Sequence, residues 1–293
     1  MGRLLLLFFL AGFLFSGCDA INPSEKIPSY VAVDDISVKI ENSSQGTASH
    51  NIVDGWLYVN HRLIGVFEAP FKVPVLESGL QNISIEPGIK VGGSVSLRAV
   101  YTMMNNYTID TMLTEGEVIT IDPVFTYRPV VFSFMENFDG EGVSFQIQDE
   151  SAPMEIISGE EAFENNSMYF KLDKNNTSFE CIGVDYLSLP KDGQDVYVEV
   201  NFKCNEAFAF GFFSHETSGD VRKTVYTFYP TWDDKNSDNP SLIWKKVYIN
   251  IKDYLIDSNG YQFKLFFIGA WGEDLDSDNV EVFVDNIKVI HLY

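Results

Sequence analysis

The sequence predicts an all-β chain of two β-sandwich domains behind a cleaved export signal. Three observations carry that expectation. No stretch shows the 3.6-residue apolar period of a helix of useful length. Short alternating runs rich in Val, Ile, Tyr and Phe recur instead, separated by Gly, Pro, Asn and Asp, as in sandwiches and barrels. The chain is 45% hydrophobic and 14% aromatic over 293 residues, enough for a core in each of two domains.

The amino terminus comes first. Met1-Gly2-Arg3 is a short charged start, residues 4–15 are apolar, and the small pair Ser16-Gly17 precedes Cys18. That order of charged, apolar and small regions is an export signal over 1–17. The apolar run falls short of the roughly 20 residues a membrane span needs. Residues 18–29 are polar, with Pro23 and Pro28, and read as a tether.

The first sandwich is placed at 30–128. Its strands are expected at 30–33, 36–40, 55–59, 63–67, 72–76, 82–85, 94–101 and 118–121, with turns at Asn60-His61-Arg62 and Gly79. Pro129 marks the boundary, and the second sandwich fills 130–293. It opens with the run at 130–138, and strands follow at 167–172, 196–202, 208–213, 224–228, 244–251 and 262–268. The closing run at 280–289 starts in strict alternation, with Val280, Val282 and Val284 on one face and Glu281, Phe283 and Asp285 on the other.

The net charge of −22 repels phosphate backbones, so nucleic acid is not an expected partner. It also repels anionic lipid. The four histidines, His50, His61, His215 and His291, are scattered, and each is expected on a loop or strand surface. No nucleophile elbow, zinc-protease helix, P-loop or dinucleotide fingerprint is present, so no enzyme is expected. A carboxylate pair at glycosidase separation stays open, because acidic pairs abound.

Cys181 and Cys204 are equidistant from Asp192-Gly193, a strong two-residue hairpin signal. If that turn forms, the two cysteines oppose each other and can bridge. The other reading makes them buried free thiols, with the segment around Pro190 crossing between sheets. Among the aromatic residues, Trp232, Trp271, Tyr226 and Tyr229 are the candidates for a ligand-binding surface. Trp232 stands in a polar loop, Thr231-Trp232-Asp233-Asp234-Lys235-Asn236, and Trp271 at a strand end before an acidic loop. Trp56 and Trp244 lie within strands and are expected in the core. The acidic run 273–279 has alternating carboxylates like a calcium loop but Asn279 where the turn glycine belongs, and it reads as a solvated hairpin loop.

Several segments resemble known families. Ser16-Gly17-Cys18 resembles the lipobox of bacterial lipoproteins, with Phe15 where Leu is usual; this implies an acylated Cys18 and attachment to a membrane through acyl chains. Residues 56–88, with Leu63-Ile64-Gly65, Pro70, Gly79 and Ile83-Ser84-Ile85-Glu86-Pro87-Gly88, resemble small extracellular sandwich repeats, implying an Ig-like or carboxypeptidase-regulatory-like spacer. The opening Glu136-Asn137-Phe138-Asp139-Gly140, the closing run 282–289 and the strand 244–251 resemble a carbohydrate-binding-module, or galactose-binding-like, jelly roll. That resemblance implies a structural calcium on Glu136, Asp139 and Asp285; alternatively, Asp285 caps a turn with Asn286. Asp110-Thr111-Met112 resembles a bacterial O-glycosylation site.

Both halves in this order resemble surface lipoproteins of Gram-negative bacteria. The function implied is a non-catalytic outer-membrane surface protein that binds a glycan or protein through its jelly roll. The alternatives are a structural accessory subunit of an outer-membrane protein assembly and an unrecognised glycan-active enzyme.

Overall fold

A computed structural model of the chain describes residues 25–237, 240–275 and 277–293. The expected signal and Cys18 lie outside the described residues. Among the described residues, no helix is long and apolar enough to cross a membrane.

The N-terminal unit contains β1 (Ser29–Val33), β2 (Ser37–Val38), β3 (Asp54–Val59), β4 (Arg62–Glu68), β5 (Phe71–Val75), β6 (Gly79–Lys90), β7 (Arg98–Val100), β8 (Tyr107–Leu113), β9 (Val118–Thr120) and β10 (Val124–Phe125). Strands β3, β4, β6, β7 and β8 form an antiparallel sheet, and β1 joins β5 and β9 in a second, mixed sheet. The β3–β4 hairpin closes on Asn60 and His61, both at positive φ (48° and 64°), as a tight two-residue hairpin turn requires. Inward residues Leu57, Val59, Ile83 and Ile85 meet Val31, Val33, Val73 and Val75, all buried in one cluster. Strand β8 was not anticipated; it pairs with the first half of β6.

The C-terminal unit contains β11 (Val130–Glu136), β12 (Phe145–Ile147), β13 (Glu155–Ser158), β14 (Asn166–Leu172), β15 (Ser178–Gly183), β16 (Val196–Cys204), β17 (Phe208–Glu216), β18 (Gly219–Phe228), β19 (Lys245–Asn250), the short helix α1 (Lys252–Asp257), β20 (Gln262–Ala270) and β21 (Val280–Leu292). Sheet I has the order β13-β14-β21-β16-β19, with β11 also on β21. Sheet II has the order β12-β15-β20-β17-β18. Their inner faces close on a phenylalanine-rich core, in which Phe170 of sheet I stacks on Phe179 of sheet II at 3.8 Å between ring centroids.

Along β21 the alternation holds through Asp285. A bulge then intervenes. Asn286 takes φ 47°, the register with β16 shifts between Glu199 and Asn201, and the inward set changes from Val280, Val282 and Val284 to Ile287 and Val289. Lys288 and Ile290 therefore continue the outer face of sheet I.

The expected disulfide is corrected. Residues 189–195 do not close a hairpin; they cross from sheet II to sheet I. Strand β15 already has β12 and β20 on its two edges, and β16 has β21 and β19, so the two strands have no free edges to share. Cys181 and Cys204 are buried, free thiols.

The N-terminal unit covers the outer face of sheet I. Tyr101 and Tyr127 share one buried cluster with Tyr197, Tyr248 and Ile290. Residues 47–51 run along the same face. Ser49 donates to Asn201 Oδ1 (3.0 Å), and the Asn51 backbone N–H donates to the Tyr248 hydroxyl (2.9 Å). Gly92 N–H donates to Tyr248 O at 2.8 Å. Sheet II is left as the open face of the jelly roll.

Candidate binding face

Strand β20 alternates between two environments. Phe263, Leu265 and Phe267 enter the core, and Gln262, Lys264, Phe266 and Ile268 point outward. Register then lays outward residues in rows across the strands. Lys264 pairs with Phe213, and Phe213 with Arg222. The next row runs Gln146, Ile182, Phe266, Gly211 and Thr224 across all five strands. A third row is Gln262, His215 and Asp220.

Each row has a local cause. Phe266 is 0% exposed, yet it lies outside the core cluster. Its ring lies across Gly211, where a Cβ would meet it at 2.5 Å, so only glycine lets the ring lie flat. Arg222 covers that ring at 4.6 Å from its centroid, and Phe213 flanks it at 5.2 Å. Glu180 holds the guanidinium from the other side at 3.3 Å. His215 Nδ1 and Asp220 Oδ1 share a 2.5 Å hydrogen bond. The His215 ring sits between Tyr186 (5.3 Å) and Tyr261 (5.0 Å), and Lys264 Nζ lies 4.4 Å above the Tyr186 ring.

Beside these residues is a shallow depression of about 250 Å³ lined by Gln146, Gln148, Ile182, Tyr186, Phe213, Asp220 and Lys264. Tyr186 and Tyr261 are 40% and 57% exposed. Flat rings beside amide, ammonium and carboxylate groups can take a ligand with an apolar ring face and hydroxyl edges.

The residues singled out from sequence fall elsewhere. Tyr226 and Tyr229 come together in a cleft of about 220 Å³ at the junction of the two units, with Gly92, Pro230 and Lys245. There the Tyr226 hydroxyl donates to Gly92 O at 2.6 Å, which gives that tyrosine a structural partner. Tyr229 is exposed. Trp232 is half-buried in the loop between β18 and β19, bridging Leu242. Trp271 is half-buried against the core of the jelly roll. Neither tryptophan lines the depression on sheet II or the cleft at Tyr226, and the two make no ring contact with each other. Trp244, expected in the core, lies on the outer side of sheet I, 5.3 Å from the Phe163 ring and 6.2 Å from the Phe283 ring. Trp56 is half-buried on the strand face opposite Leu57.

The calcium set does not fit. Glu136 accepts from the backbone N–H groups of Phe138 (2.8 Å) and Ser144 (2.6 Å), one on each oxygen. Asp139 accepts from Asn137, Asn165 and Asn166. Asp285 is 1% exposed; it accepts from Ser167 (2.8 Å) and from Asn286 N–H (2.6 Å), the capping alternative. Burial raises its carboxyl to about 7, against the opposing pull of those two donors. Among the described residues, no group of three or more His, Cys, Asp or Glu could hold a metal ion.

The face built by Phe213, Lys264, Arg222, Tyr186, His215 and Tyr261 was not anticipated. The strands themselves were legible. Which sheet the N-terminal unit would leave open was not.

No family model matches the sequence, and no curated protein matches it. Among solved structures, the chain is similar to a family 28 carbohydrate-binding module specific for non-crystalline cellulose, at 19% identity and TM-score 0.36 over 52% of this chain and 92% of that one. It is similar to a xylan-binding family 22 domain at 14% identity and TM-score 0.35, over 55% and 94% of the two chains. It is also similar to a family 11 carbohydrate-binding module from Clostridium thermocellum, solved with a β-1,3-1,4-mixed-linked tetrasaccharide, at 17% identity and TM-score 0.35 over 54% and 94%.

Proposed function

We propose that this chain is a non-catalytic surface protein, anchored to the outer membrane through an acylated Cys18, that binds a glycan on the open face of sheet II. The observation that carries the reading is the pairing of two rings, exposed Tyr186 and half-buried Phe213, with the Gln146, Gln148 and Lys264 side chains over one depression, and exposed Tyr261 nearby across the His215 ring. Sugars offer an apolar C–H face to such rings and hydroxyls to such edges. The placement suits the role. The N-terminal unit seals sheet I, so the binding face turns away from the unit through which the chain is tethered.

The test is affinity electrophoresis and calorimetry against a panel of neutral and acidic polysaccharides. Phe213→Ala and Tyr186→Ala are expected to weaken binding about tenfold or more, and Trp232→Ala to leave it unchanged. If Phe213→Ala and Tyr186→Ala bind as the parent does, the face is wrong.

One observation favours the accessory-subunit alternative. Leu80 and Met112 lie opposite each other on β6 and β8, at 70% and 62% exposure. Co-purification of a stoichiometric membrane partner after mild detergent extraction, lost in Leu80→Ser, would support it.

A further inference from the structure

Lys264, Phe213 and Arg222 stand in one cross-strand row on three adjacent strands. Neighbouring strands lie about 4.8 Å apart, so the two cations flank the ring on strands separated by roughly 9–10 Å. This occurs in a chain of net charge −22, where an anionic ligand is repelled from most of the surface. Charges more than about 8 Å away are largely screened at physiological salt, so the local row decides what docks on it.

The two carboxylates beside the row, Glu180 and Asp220, already have partners. Glu180 pairs with Arg222 and Asp220 with His215. Among the described residues, no carboxylate lies within ion-pair distance of Lys264, whose ammonium rests over the Tyr186 ring. Arg222 has five N–H donors, so its fork can take a second acceptor beside Glu180. Gln146 and Gln148 border the same depression and offer amide groups to hydroxyls.

From this arrangement we infer that the glycan is a polyuronate, a chain of carboxylated sugars. One ring face lies on Phe213, one carboxylate meets Lys264 Nζ, and another along the chain meets Arg222. The inference rests on the glycan-binding reading of the same face and goes beyond it in naming the charge of the ligand.

The experiment measures the affinity of the full mature chain for polygalacturonate, alginate and hyaluronate, each beside its carboxyl-reduced counterpart, at low and high salt, together with neutral xylan, mannan and β-glucan. At least one polyuronate should bind about tenfold or more tighter than its reduced form, with the gap closing at high salt. Lys264→Gln should bring the polyuronate down to the reduced polymer's affinity without shifting the unfolding midpoint. Arg222→Lys, which keeps the charge and loses the fork, should fall between. Equal affinity for charged and reduced polymers, or binding to neutral glycans alone, overturns the polyuronate inference and leaves the glycan reading standing. No binding to any polymer overturns both.

Discussion

Glu199 on β16 and Lys246 on β19 form an ion pair at 2.7 Å, with side chains 1% and 2% exposed, sealed where the N-terminal unit meets sheet I. The site reaches across both units. Tyr101 and Tyr127 of the N-terminal unit both donate their hydroxyls to Glu199 Oε1. Lys288 Nζ donates to the Tyr127 hydroxyl (3.3 Å) and to Thr47 O (3.1 Å), and Lys246 Nζ donates to Ser49 O (2.8 Å). One carboxylate thus balances two buried ammonium groups and fastens four segments distant in sequence.

Glu199→Gln is therefore expected to destabilise the protein by about 3–5 kcal/mol, because it leaves Lys246 and Lys288 buried without their counter-charge. Urea unfolding followed by fluorescence measures this. Tyr101→Phe, which removes one donor and keeps the ring, should cost only about 1–2 kcal/mol. Equal midpoints for Glu199→Gln and the parent would show that the junction is not sealed.

Two buried groups give opposite pH dependences. Burial raises Asp285 in the folded state from 3.8 to about 7. The folded protein then holds this proton more tightly than the unfolded chain does. Its cost is absent below about pH 4, grows between about 4 and 7, and is constant above. Asp285→Asn removes that cost; its Oδ1 can accept from Asn286 N–H while its Nδ2 donates to Ser167 Oγ, so its stability advantage over the parent should widen across that interval. Glu199 behaves inversely. Burial alone would raise it, but Lys246 and Lys288 outweigh burial and hold it at about 2. Its stabilisation is present above about 4.5 and is lost only as the pH falls toward 2. Denaturation curves at intervals from pH 3 to 8 separate the two groups, and a parallel pair of parent and Asp285→Asn curves would contradict the assignment.

Why the fold was more legible than the site follows from two strands. Both β16 and β20 alternate apolar with polar residues: Val196, Val198 and Val200 against Glu199 and Asn201, and Phe263, Leu265 and Phe267 against Gln262 and Lys264. Period-two patterning identifies each as a half-buried strand. It cannot tell that the polar face of the first is sealed beneath Tyr101 and Tyr127, whereas that of the second is open. The covering residues lie 70 or more positions earlier in the chain, and nothing local to β16 encodes them. The tryptophans misled for the same reason. Exposure in a polar loop suggested Trp232, yet the rings that gather on one face, Tyr186, His215 and Tyr261, come from separate strands and loops that only the register brings together.

The thiols provide a direct check on topology. Burial pushes the Cys204 thiol up to about 12 and the Cys181 thiol well above its ordinary range. Neither should alkylate in the native protein at neutral pH, and both should alkylate after denaturation without reductant. Peptide mapping reads both outcomes. A linked Cys181–Cys204 peptide would contradict the two free thiols, and would join the two sheets across the core that both cysteines enter.

Gly211 links stability to the binding face. A Cβ there would strike the carbonyl oxygen of Lys223 on β18 and come within 2.5 Å of the Phe266 ring. The ring could swing away; the backbone carbonyl cannot move without opening the β17–β18 ladder. Gly211→Ala should therefore destabilise the protein by about 1–3 kcal/mol, the range for forcing an extra group into a packed site. It should also weaken ligand binding, because Phe213 and Arg222 belong to that same ladder. Two comparisons make the cause readable. Gly142→Ala, where an added Cβ meets nothing within 4 Å, should be neutral. Adding Phe266→Leu to Gly211→Ala should restore only part of the loss, since it relieves the ring and leaves the carbonyl. Full rescue by the double variant would place the whole strain on the ring and remove the ladder from the explanation.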